Sequence, residues 1–123
     1  MNKASAIHKF FNSFSIPAYV RTSVPDEAEY PYMVYDSFDG MLGDGEFPLN
    51  LKVYYKTYSE KEPNKKVQEI SKAIGLGGAV IECDSGAIWI KRGSPFCQSV
   101  VNDDDDSIKM RYINLDIEFL TTE

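Results

Sequence analysis

Ile7, Phe10, Phe11 and Phe14 recur at the spacing of one helix face, so residues 4–14 predict an amphipathic helix, which Pro17 ends. Residues 17–21 are short and apolar enough for a strand. Residues 23–30, with Pro25, Asp26, Glu27 and Glu29, read as an exposed loop. Residues 31–38 are apolar on both sides, which suggests an interior strand. Leu49, Leu51, Val53, Tyr55 and Thr57 then alternate with Asn50, Lys52, Tyr54, Lys56 and Tyr58. That period of two predicts a strand with one face in the core and the other showing Lys and Tyr. A second helix follows over residues 59–74, with Val67, Ile70 and Ile74 as its buried stripe. Its start is open between a capping box at Ser59 and Glu62 and a Pro63 first position. Gly75, Gly77 and Gly78 end it.

Further strand segments are expected. Residues 79–83 and 87–92 flank the turn signal Asp84–Ser85–Gly86. Gly93–Ser94–Pro95 reads as a corner, after which residues 96–101 and 108–120 flank a connection at 102–107. In the last strand the apolar phase shifts. Ile108, Met110 and Tyr112 sit on even positions, and Ile113, Leu115, Ile117 and Phe119 on odd ones, so a β-bulge is expected near Tyr112–Ile113. Trp89 lies opposite Ile88 and Ile90 and is expected to be mostly buried, against a helix or a second subunit. The order α-β-β-β-α-β-β-β puts strands in runs. It predicts one α+β domain over residues 1–123: a mainly antiparallel sheet of about five to six strands, with two helices covering one face.

Composition narrows the class. With 123 residues, 43% hydrophobic and 26% charged, the chain is long enough for its own core and is neither a disordered nor a coiled-coil sequence. The formal charge of −6 gives no counterion-release gain on nucleic acid, so no specific nucleic-acid binding is expected. Lys61, Lys65, Lys66 and Lys72 are interspersed with Glu60, Glu62 and Glu69 and read as a solvated helix face. No apolar run is long enough to span a membrane, and residues 1–14 do not read as a leader, so a cytoplasmic protein is expected.

Candidate chemistry is sparse. Cys83 and Cys97 with the single His8 fall short of a zinc site, and both cysteines read as reduced. A Cys–His nucleophile would need His8 beside one of them. Asp36, Asp39, Asp84 and Asp116 are candidate acid–base groups only by being acidic. Asp103, Asp104, Asp105 and Asp106 are adjacent and lack the alternate spacing and Gly of a calcium loop. They read as a hairpin tip. Residues 39–47, which carry Asp39, Asp44, Glu46 and three Gly, read as a flexible connection or one that orders on assembly. No catalytic residue, metal or cofactor is assigned. What remains is a surface: Lys52, Tyr54, Lys56 and Tyr58 on the outer face of one strand, with the two acidic loops beside it as a second candidate contact. Tyr suits interfaces, since it brings apolar area with a hydrogen-bonding tip. A helix of the same chain covering that face is the competing expectation.

Three segments carry a family likeness: Pro31–Tyr32–Met33–Val34–Tyr35, the run from Ile88 to Gln98 through Gly93–Ser94–Pro95–Phe96, and the amphipathic run from Tyr112 to Leu120. In these, and in length and element order, the chain resembles the tail-terminator or tail-completion proteins of long-tailed bacteriophages and prophages. The resemblance implies a structural subunit without catalysis. It would form a ring, commonly a hexamer, that ends tail-tube polymerisation and meets the tail-tube and neck proteins. It also implies a location in the host cytoplasm during assembly and then in the virion tail. An acidic lumen would let DNA pass without sticking. A head–tail connector or neck protein of similar size, or an unrelated small binding module, is the alternative; an enzyme has the least support.

Overall fold

Asn2 starts the first helix, its side-chain oxygen accepting the Ser5 N–H at 2.8 Å and satisfying a free donor of the first turn. The computed structural model describes residues Met1–Glu123. Helix α1 spans Lys3–Phe11, and the chain then tightens into a 3-10 turn, Asn12–Phe14. Phe14 therefore enters the core from a turn and not from the helix. Phe10 packs edge-on to Phe11 and Phe14, with ring centroids 5.7 and 5.5 Å apart.

Helix α2 spans Lys61–Ile74, and neither expected start operates. Ser59 Oγ accepts the Lys61 N–H at 3.1 Å, and Pro63 lies inside the first turn. Ile70 and Ile74 are buried as expected. Lys66 corrects the solvated-face reading: it is buried, donating to the Phe14 carbonyl and to Glu69. Its stem lies along the apolar stripe while its ammonium caps the 3-10 turn.

Six strands form one sheet: β1 (Ala18–Val20), β2 (Tyr32–Tyr35), β3 (Glu46–Lys56), β4 (Ala79–Cys83), β5 (Gly86–Val100) and β6 (Ile108–Thr121). The architecture is α+β, but the sheet is mixed and not the mainly antiparallel one expected. β1 runs parallel to β2, while the remaining neighbours are antiparallel. The cause is the connection between β1 and β2, which winds through a 3-10 turn at Arg21–Ser23 and an exposed loop and returns the chain in its original direction, as no tight hairpin can. Across the sheet the order is β1-β2-β3-β6-β5-β4, so β6 sits between β3 and β5 and chain order does not give neighbours.

The core lies on one face. Phe11, Ile70 and Ile74 from the helices share a cluster with Leu51 and Val53 of β3, Ile88 and Ile90 of β5, and Ile113, Leu115, Ile117 and Phe119 of β6. Both helices therefore cover the same side.

The expected bulge is relocated, and the expected corner does not form. β5 is continuous through Gly93–Ser94–Pro95, and the register slips there, between Arg92 opposite Leu115 and Cys97 opposite Ile113. Gly93 permits it, because a Cβ at that position would stand 2.6 Å from the Asn114 carbonyl oxygen. β6 has no phase shift, and its pairing with β3 is unbroken from Glu46–Glu118 to Lys56–Ile108. Its buried face runs on through Arg111, a charged residue at a core position, 4% exposed and bonded to Glu60 and to Asn64 of α2. Ile108, Met110 and Tyr112 belong to the opposite face. So does Trp89, which is only half-buried and packs against no helix. Its indole N–H donates to the Gly77 carbonyl at 2.8 Å.

Candidate functional site

Alternation along the strands gives the sheet a second face that neither helix covers. Tyr19 of β1, Tyr32 of β2, Lys52 and Tyr54 of β3, and Tyr112 of β6 point there, with Tyr30 from the preceding loop beside them. Tyr32 is the centre of the group. Its ring stacks on Tyr54 with centroids 5.2 Å apart and meets Tyr30 at 5.3 Å and Tyr19 at 6.2 Å. The Lys52 ammonium lies 5.3 Å from the Tyr112 ring centroid, within cation–π range. Burial among the rings raises the Tyr32 and Tyr54 phenols above their usual 10.0, and neighbouring tyrosines push them further. Both hydroxyls therefore stay protonated at neutral pH and remain donors.

The middle of this face is polar. Asn50 donates to Asn114 Oδ1 at 3.0 Å, and Asn114 donates to the Pro95 carbonyl at 2.9 Å. The Asn50 side-chain oxygen is buried with no partner. A cleft of 510 Å³ opens here between Asn50, Asn114, Ser94 and Asp116. The far end carries charge: Lys91 bonds Glu46 at 2.7 Å and Glu118 at 2.9 Å, and its ammonium sits 3.8 Å from the Trp89 ring centroid. The bonds to Glu46 and then Glu118 raise the Lys91 pKa above its ordinary value.

The residues expected at the surface separate into three places. Lys52 and Tyr54 lie within the open face. Lys56 is its exposed last strand residue, and Tyr58 lies past the strand, 82% exposed and off the face. Glu46 begins β3 at the opposite end. Asp39 and Asp44 serve their own loop: Asp39 pairs with Lys3 at 2.6 Å, and Asp44 accepts the Met41 N–H at 2.9 Å. The loop is further tied by the Leu42 N–H to the Thr121 carbonyl at 2.9 Å, which corrects the reading of a flexible connection. In the other loop Asp105 accepts the Ser107 amide at 2.8 Å and its hydroxyl at 2.6 Å, and these bonds lower its pKa. Asp103, Asp104 and Asp106 are exposed at the hairpin tip.

The sequence reading missed Tyr19, Tyr30, Tyr32 and Tyr112 as members of the site. The even triplet Ile108, Met110 and Tyr112 was their signal, an apolar run on a strand's second face. Of the candidate acid–base groups, Asp36 and Asp116 line the same cleft beside Asn50 and Asn114, and Asp84 lies away from it. Asp36 pairs with Arg21 at 2.6 Å, Asp84 with the Met1 amino group, and Asp116 lies on the open face. His8 is engaged by the Tyr35 hydroxyl at 3.2 Å and by Asn12. No three His, Cys, Asp or Glu side chains converge as a metal site would require. No family of proteins, no curated protein and no solved structure matches the chain.

Proposed function

We propose that this protein is a structural subunit of a long-tailed phage virion, a tail terminator that forms a ring, commonly a hexamer, and meets the tail-tube and neck proteins. The observation that carries the reading is the uncovered sheet face with its clustered tyrosines, a surface suited to another protein. Its rings are already ordered against one another, so docking costs little side-chain entropy. The likeness in residues 31–35, 88–98 and 112–120 supports the same reading, and no bond-making step is assigned. Its work is done in the host cytoplasm and in the finished tail.

The test is capture on tail tubes. Gold-labelled protein mixed with polymerising tube protein should mark tube ends and shorten the tubes, as seen by electron microscopy. Label confined to neck complexes would favour the connector alternative. Absence of label from both would overturn the proposal.

A further inference from the structure

The sheet has two edges, and the chain treats them differently. β1 is three residues long, and the Asn12 side chain takes both outward backbone groups of Ala18. Its oxygen accepts the Ala18 N–H at 2.9 Å, and its amide donates to the Ala18 carbonyl at 3.2 Å. That edge is closed to further pairing. β4 has no such cap. The two-residue turn Asp84–Ser85 sets Cys83 opposite Gly86 as a bonded pair, so Ala79, Ile81 and Cys83 bond to β5. Val80 and Glu82 then turn their N–H and C=O groups outward. Asp84, next in that outward series, sends its N–H to the Met1 carbonyl at 2.8 Å. No turn, loop or side-chain hydrogen bond reaches the backbone of Val80 or Glu82.

Beside this edge the core layer is unfinished. Ala79, Ile81 and Cys83 point to the helix side of the sheet yet stay only half-buried. A groove of 620 Å³ runs between β4 and α1, floored by Ala6, Phe10, Ile81 and Cys83. On the other side of the strand Val80 is 60% exposed, next to the exposed Glu82. An unpaired edge of this kind fits one geometry, another extended backbone. One row of its side chains would fill the apolar groove, and the other would lie against Val80 and Glu82, where a basic residue complements the carboxylate. A second copy's β4 fits less well. Antiparallel pairing of two such edges brings the partner's α1 to the same side of the sheet, against the groove, and sets the two Glu82 carboxylates on a diagonal.

We propose that β4 accepts an extended segment of a partner protein as a seventh strand, apolar on its groove side and basic opposite Glu82. The site lies apart from the tyrosine cluster and stands whether or not the chain ends a tail tube.

The probe is the capped peptide Thr-Val-Lys-Val-Thr-Val-Lys, titrated into the isotope-labelled protein and followed by amide NMR. The Val80 and Glu82 amides should shift at about 1 mM peptide or below and gain hydrogen-exchange protection. A peptide with Glu in place of Lys should bind severalfold more weakly, and Glu82→Lys should reverse that preference. Val80→Pro leaves the β4–β5 bonds in place and should weaken binding at least about tenfold. Where that variant fails to fold, the peptide carries the test: N-methylation of one alternate set of its amides should abolish binding, and of the other set should leave it. No shift in β4, shifts confined to the tyrosine cluster, or binding indifferent to both Val80→Pro and N-methylation would overturn the proposal. So would protection of Val80 and Glu82 that grows with concentration of the protein alone, which would make a second copy the occupant.

Discussion

Tyr54→Ala separates a surface that binds from a surface that merely meets water. Tyr54 is half-buried on the open face, and its main contact is the Tyr32 ring with centroids 5.2 Å apart. An aromatic pair contributes about 0.5–1.5 kcal/mol beyond area, so the variant should unfold about 1 kcal/mol more easily. Leu51 lies on the same strand but faces the helices with no exposure, and Leu51→Ala should cost about 2–5 kcal/mol by opening a cavity. In association the order should reverse. A buried Tyr at the centre of an interface is worth about 2 kcal/mol or more when truncated, about thirtyfold in the dissociation constant. Urea unfolding at low protein concentration reads the first quantity, and sedimentation equilibrium reads the second. A Tyr54→Ala protein that loses as much stability as Leu51→Ala, or associates like the wild type, would refute the assignment of this face.

Three further outcomes follow from particular contacts. Gly93→Ala forces a Cβ against the Asn114 backbone and should lower stability by about 1–3 kcal/mol in urea titration, with the β5–β6 amides near the bulge losing hydrogen-exchange protection first. Asp105 should titrate below its ordinary 3.8 by carboxyl NMR, because Ser107 bonds its charged form, and Ser107→Ala should move the midpoint up. Since the folded value is the lower one, this carboxylate's contribution is present above 3.8 and is lost as pH falls through the lowered value. Trp89 is half-exposed beside Lys91, so its emission should lie between buried and free indole in dilute protein and move to shorter wavelength as concentration rises.

Periodicity made most elements legible, because burial on one side leaves a direct trace in sequence. Leu49, Leu51 and Val53 marked β3, and Ile70 and Ile74 marked α2. The trace misled where a polar residue takes a core position. Arg111 sits in the buried row of β6 with Glu60 and Asn64 as partners, and its charge made the alternation look broken. Lys66 did the same on α2. Strand neighbours and direction were not legible, since the parallel β1–β2 pair depends on a loop whose path no local pattern encodes. The site was half legible: Lys52 and Tyr54 announced an outer face, but Tyr19, Tyr32 and Tyr112 join it only through pairings between distant segments.

Hydroxyl-radical footprinting read by mass spectrometry examines the open face residue by residue, in dilute monomer and in concentrated or tube-bound protein. Labelling of Tyr32, Tyr54 and Tyr112 should fall on association, while Tyr58, which projects from the chain beyond β3, keeps its reactivity. Equal labelling of all four in both states, or protection confined to the helices, would place the working surface elsewhere.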